Sequence, residues 1–143
     1  MENDTVKLLR ECDAGIKMGV ASIDEVYDRV KNQDMKDILN ASKDEHEVLR
    51  EEMGRRLSEV GDNGKELNPI AKGMSYIKTN MKMMADPSDA TVADLMTDGC
   101  HMGIKSLCRY LNQYAAADEG SKDLCRRLVK VEEDLAESLR VYL

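Results

Sequence analysis

The chain has no phenylalanine and no tryptophan, and its aromatic content is 3%, all of it tyrosine. Sheets favour aromatic and β-branched side chains, so this shortage argues against a β fold. The apolar runs are only a few residues long, far short of the roughly 20 that a membrane-spanning helix needs. No Cys-x-x-Cys pair occurs, and the four cysteines (Cys12, Cys100, Cys108, Cys125) lie far apart. They read as small buried hydrophobes of a reduced cytosol, with a disulfide framework as the alternative. Basic charge is also short: the net charge is −7 and no Lys/Arg cluster forms a basic face, which excludes the usual footprint of a nucleic-acid binder. The opening MENDTVKLL is acidic and lacks the apolar core of a signal peptide, so the expected location is cytoplasmic.

What remains is a globular composition of 143 residues, 42% hydrophobic and 34% charged. That length suits one domain able to bury a core without staples. The core must come from Leu, Ile, Val, Ala and the 10 methionines, which suits helices packed on helices.

Apolar residues recur at steps of three and four, the signature of amphipathic helices. Val6, Leu9, Ile16, Val20, Ile23, Tyr27 and Val30 mark a helix over about 4–31, with Asp4 or Thr5 as its N-cap. Met35, Ile38, Leu39, Leu49, Met53, Leu57 and Val60 mark a second over about 34–60, its stripe interrupted by Ser42 and His46. Gly61 stands where a left-handed C-cap belongs. A short helix is expected over about 69–85, opened by Pro69 and carrying Ile70, Met74, Ile77, Met81 and Met84. A third long helix spans about 88–117, with Val92, Leu95, Met96, Met102, Leu107, Tyr110, Leu111 and Tyr114 on its apolar face and Gly99, Gly103 and Ser106 beside them. The last spans about 122–142, with Leu124, Leu128, Val131, Leu135, Leu139 and Tyr142 inward. Two long antiparallel pairs joined by a long crossover give an all-α four-helix bundle of ferritin-like topology. A five-helix array is the alternative.

The run Leu8-Leu9-Arg10-Glu11-Cys12-Asp13-Ala14-Gly15 resembles the first helix of a family of uncharacterised bacterial ferritin-like four-helix bundles. Gly103-Ile104-Lys105-Ser106-Leu107-Cys108-Arg109-Tyr110 is similar to a segment of the same family's third long helix. The resemblance spans most of the chain and implies the fold. It implies no particular reaction.

A di-metal centre in such a bundle takes a Glu from each of two helices and a Glu-x-x-His from each of the others. Placing each helix on a wheel of 100° per residue sets Asp13, Glu45 and Glu132 at the edges of apolar faces and His46 near the centre of one. The third long helix supplies no comparable ligand. Asp98-Gly99-Cys100-His101 is an acid-x-x-His, but Asp98 and His101 fall on the polar face with Asp94 and Lys105. No cofactor is expected. The candidates for a single Fe or Zn ion are Asp13, Glu45, His46 and Glu132, and otherwise His46 is a partly buried histidine paired with one of those carboxylates. Cys12 also lies within reach of His46 if the first two helices pair in register. No phosphate loop or dinucleotide fingerprint occurs. The expected function is therefore non-enzymatic: a homodimer or a binder of a protein partner, acting on neither nucleic acid nor membrane.

Overall fold

The computed structural model describes residues 3–62, 64, 85, 86 and 88–143. Among the described residues there are four α-helices and no strand. They are α1 (Asp4–Tyr27), α2 (Gln33–Glu59), α3 (Asp89–Gln113) and α4 (Glu119–Leu139), with a 3-10 turn at Arg140–Tyr142. The expected short helix over about 69–85, with Met74, Met81 and Met84, lies outside the described residues except for Ala85.

Each helix starts one side chain ahead of its first apolar turn. Asn3, rather than Asp4 or Thr5, caps α1 by accepting from the Val6 N–H at 3.0 Å. Asn32 caps α2 through the Met35 N–H at 3.0 Å, and Ser88 caps α3 through the Thr91 N–H at 3.2 Å. Asp118 accepts from the Ser121 N–H at 2.7 Å, so α4 begins at Glu119, three residues before the expected start, and Gly120 lies inside its first turn. These oxygens satisfy donors that a helix N-terminus leaves open. At the other end of α2, Gly61 adopts φ +72°. The Asp62 N–H then reaches the Leu57 carbonyl at 2.9 Å and the Gly61 N–H reaches Ser58 at 3.0 Å, the paired bonds of a Schellman cap.

The helices run up, down, down, up. One end of the bundle gathers Leu8 and Leu9 of α1, Leu57 of α2, Leu107 of α3 and Leu124 of α4. The other gathers Val26, Met35, Val92 and Leu139. Helices α2 and α3 are therefore parallel, and residues 60–88 connect opposite ends. Each hairpin turn is tied to the other hairpin through backbone donors. The Asp89 carboxylate accepts from the Lys31 and Asn32 N–H groups at 2.8 and 3.0 Å. At the opposite end Asp4 accepts from the Ala116 N–H at 3.1 Å, and the Thr5 hydroxyl from the Asp118 N–H at 2.8 Å. Ion pairs join neighbouring helices along the sides: Lys43 with Asp24 at 2.6 Å and Arg127 with Glu52 at 2.7 Å.

In cross-section α1 neighbours α2 and α3, and α4 neighbours the same two. Helices α1 and α4 also touch across the diagonal, where a Cβ added to Gly15 would meet Leu128 at 3.7 Å. The buried face of α3 differs from the expected one. Val92, Met96, Cys100 and Leu107 point inward, whereas Gly99 is exposed and Met102 is 68% exposed. Val92, Met96 and Leu107 keep their expected place, and the stripe passes through Cys100 instead of Gly99 and Met102. Among the described residues no helix is long and apolar enough to cross a membrane.

Two glycines of α2 should respond oppositely to alanine. Gly54 is helical with nothing within 4 Å of an added Cβ, so Gly54→Ala should stabilise the fold by about 0.5–1 kcal/mol. Gly61→Ala places a Cβ in the left-handed region and should cost about 1 kcal/mol. Urea denaturation of the two variants measures both signs.

Candidate functional site

The core divides into two apolar clusters, and a polar layer lies between them near the middle of the bundle. It is built from one position on each helix. His46 of α2 is completely buried, and Glu132 of α4 is 9% exposed. The imidazole Nε2 meets Glu132 Oε1 at 2.7 Å, and Nδ1 meets the Ser42 carbonyl oxygen at 2.7 Å. Cys100 of α3 is buried close to the same carboxylate. Gly19 of α1 fills the fourth corner: a Cβ there would stand 2.6 Å from His46 Nε2 and 3.5 Å from Glu132 Oε1.

The local sequence explains the placement. On α2, Leu39, Ser42, His46, Leu49 and Met53 recur at steps of three and four and form one buried stripe. His46 sits on its axis, and its ring folds back one turn so that Nδ1 reaches the carbonyl of Ser42. On α1, Gly19 lies between Ile16 and Ile23 on the inward face. Any larger residue there would occupy the imidazole's space.

The bonding fixes the protons. A carbonyl oxygen only accepts, so Nδ1 carries a hydrogen. Nε2 then faces a carboxylate, either as the donor of an imidazolium or as the acceptor from a protonated Glu132. Burial pulls the His46 pKa down. The Glu132 hydrogen bond and charge, the Ser42 carbonyl and the charge of Glu45 outweigh it and leave the ring above the ordinary imidazole value. The ion pair, with both ring nitrogens donating, is the form this favours. For Cys100, burial and the nearby Glu132 carboxylate push the thiol well above its ordinary value, so it stays protonated.

Two of the four sequence candidates come together, His46 and Glu132. The other two stand apart. Asp13 is buried but pairs with Lys17 on its own helix at 2.8 Å, and its Oδ2 lies against Gly64. It precedes Gly19 by six residues, about 9 Å along the helix axis. Glu45 is exposed, because one residue from the centre of a helical face is a rotation of about 100°. It reaches His46 through its charge and not through contact. Cys12 is buried in one apolar cluster with Cys125, seven residues before Gly19 and so about 10 Å along the helix from the layer that holds His46. His101 is exposed, as expected for the polar face of α3. Among the described residues no three His, Cys, Asp or Glu side chains are gathered so as to hold a metal ion. The sequence reading missed Gly19 and the link from Cys100 to Glu132. The signal for Gly19 was a glycine on the apolar stripe of the helix next to the one bearing an inward histidine.

Chemically, this layer holds a proton between two buried groups. The Ser42 hydroxyl beside it is buried without a hydrogen-bond partner. Compared with family models, curated proteins and solved structures, the chain matches none.

Three outcomes follow from the layer. His46→Leu leaves Glu132 as a buried unpaired charge and should destabilise the fold by about 3–5 kcal/mol, most of which the His46→Leu/Glu132→Leu double variant should recover. Gly19→Ala should lose about 1–3 kcal/mol from overpacking despite alanine's helix preference, because the imidazole it meets is pinned at both nitrogens. The third outcome concerns pH. The folded-state pKa of His46 lies above its unfolded value of about 6.5. The pair's contribution is therefore complete below about pH 6.5 and lost as pH rises through the folded value. Denaturation profiles from pH 6 upward should show wild-type stability falling relative to His46→Gln, which cannot titrate.

Proposed function

We propose that the chain is a ferritin-like bundle that performs no catalysis and acts in the cytoplasm by self-association, as a homodimer, or by binding a protein partner. The up-down-down-up path with one long connection supports the ferritin-like assignment, since such bundles carry one long crossover. The observation that carries the rest is the double engagement of His46. Its Nδ1 donates to Ser42 and its Nε2 to Glu132, both at 2.7 Å. A metal held between such an N and O ligand at ordinary bond lengths of about 2 Å would hold those atoms about 3.3 Å apart. Binding would therefore require the pair to part and Nε2 to lose its proton. A polar layer of this kind suits a part that sets helix register.

A metal-binding role for a single Zn or Fe is the competing reading. It takes support from Cys100, which brings a thiol to the carboxylate that already meets His46. Two measurements on untagged protein separate the readings. Light scattering should give twice the mass of one chain, and elemental analysis should give well under one equivalent of Zn or Fe. A monomer at every concentration, with one equivalent of metal that disappears in His46→Ala, would overturn the proposal.

A further inference from the structure

We propose that Cys12 and Cys125 are a peroxide-oxidisable dithiol that closes into a disulfide between α1 and α4. The basis is the register of these two parallel helices. Thr5 of α1 accepts from the Asp118 N–H at 2.8 Å, a Cβ on Gly15 would meet Leu128 at 3.7 Å, and a Cβ on Gly19 would meet Glu132 at 3.5 Å. Every step along α1 is matched by the same step along α4. Cys12 precedes Gly15 by three residues and Cys125 precedes Leu128 by three, so the same register sets the two cysteines face to face. Both are fully buried in one core cluster. Both are free thiols in this structure.

The two sulfurs are not equivalent. The Cys125 thiol donates to the Leu107 carbonyl oxygen at 3.8 Å. The neighbouring Cys12 lowers the Cys125 pKa against the effect of burial, and Arg126 lowers it further. Cys12 is pushed well above the ordinary thiol value by the neighbouring Cys125 and by burial. Attack by either sulfur ends in the same disulfide, and Cys125 is taken first. Its thiolate attacks one oxygen of hydrogen peroxide, the O–O bond breaks, and the departing hydroxide becomes water with the proton that the thiol gave up. The resulting Cys125 sulfenic acid is attacked by the Cys12 sulfur. The S–O bond breaks, an S–S bond forms, and the hydroxyl leaves as water with the Cys12 proton. The two thiols lose two electrons and two protons, and one peroxide becomes two waters.

No other intrachain pairing competes within α3. Cys100 and Cys108 are eight residues apart on one helix, about 12 Å along its axis, which is beyond the reach of a disulfide. The bond joins the first helix to the last, so it closes a loop containing most of the chain. Long closed loops restrict the unfolded state most, and the redox state would thereby set the stability of the bundle.

The test treats the native full chain with hydrogen peroxide, alkylates the remaining thiols in denaturant, digests with trypsin and reads the peptides by mass spectrometry without reduction. The expected product joins residues 11–17 to residues 123–126 at two hydrogen masses below their sum, and dithiothreitol releases it. The oxidised chain should melt at a higher temperature than the reduced one, a shift absent in Cys125→Ser. The crosslink should form equally in Cys108→Ser, which removes the exposed thiol. Separate alkylation of Cys12 and Cys125 after oxidation would overturn the proposal, as would a crosslink lost in Cys108→Ser. The peptide readout uses the unaltered chain, so it stands even if a serine variant fails to fold.

Discussion

The contact between His46 and Glu132 holds four helices to one register. Glu132 leaves α4, meets the imidazole from α2, and lies close to Cys100 of α3 and Gly19 of α1. A slip of either hairpin by one turn would move a charge of the pair into an apolar cluster, where an uncompensated ion costs several kcal/mol. Apolar side chains alone discriminate poorly between registers, because Leu, Ile, Val and Met fill one another's positions at modest cost. In a core without phenylalanine or tryptophan, the polar layer supplies the specificity that large, shape-defined rings would otherwise supply.

That layer depends in turn on how closely α1 approaches α4. Cys12, Gly15 and Gly19 form an inward line of small residues on α1, opposite Cys125, Leu128 and Glu132. The small side chains let two parallel helices meet across the diagonal, and the imidazole enters the space that Gly19 leaves. Glycine inside a helix costs about 1 kcal/mol relative to alanine; at Gly19 that cost is offset by a saturated buried pair. The hairpin turns complete the arrangement. Asp89 and Asp4 each bind backbone donors of the opposite hairpin, so both ends of the bundle are fastened independently of the core.

The helices were legible in the sequence because their stripes are long and regular, and the four expected spans overlap the four observed helices. Boundaries were less legible. Asn3 and Asp118 compete with equally good neighbouring caps, and the choice between them follows from tertiary contacts such as that of Thr5 with the Asp118 N–H. The middle of the α3 face was not legible, because Met102 is apolar by type but exposed, while Cys100 is small and buried. At the site, His46 was legible as a histidine interrupting an apolar stripe, and Glu132 as an acid beside Val131. Which carboxylate His46 would meet was not legible, because it depends on the relative height of α2 and α4. A wheel gives direction around a helix but not height against its neighbour, so Asp13, a buried acid on the correct side of α1, remained an equal candidate.

With Nδ1 on the Ser42 carbonyl and Nε2 on the Glu132 carboxylate, His46 is expected to be an imidazolium whose two N–H groups are both in use. The most direct test is the ¹⁵N spectrum of its ring in the intact chain at neutral pH. Two protonated nitrogens, with both N–H signals slow to exchange with water and unchanged on adding Zn²⁺, are the predicted result. A neutral ring with an unprotonated Nε2 that shifts on adding one equivalent of Zn²⁺ would contradict it.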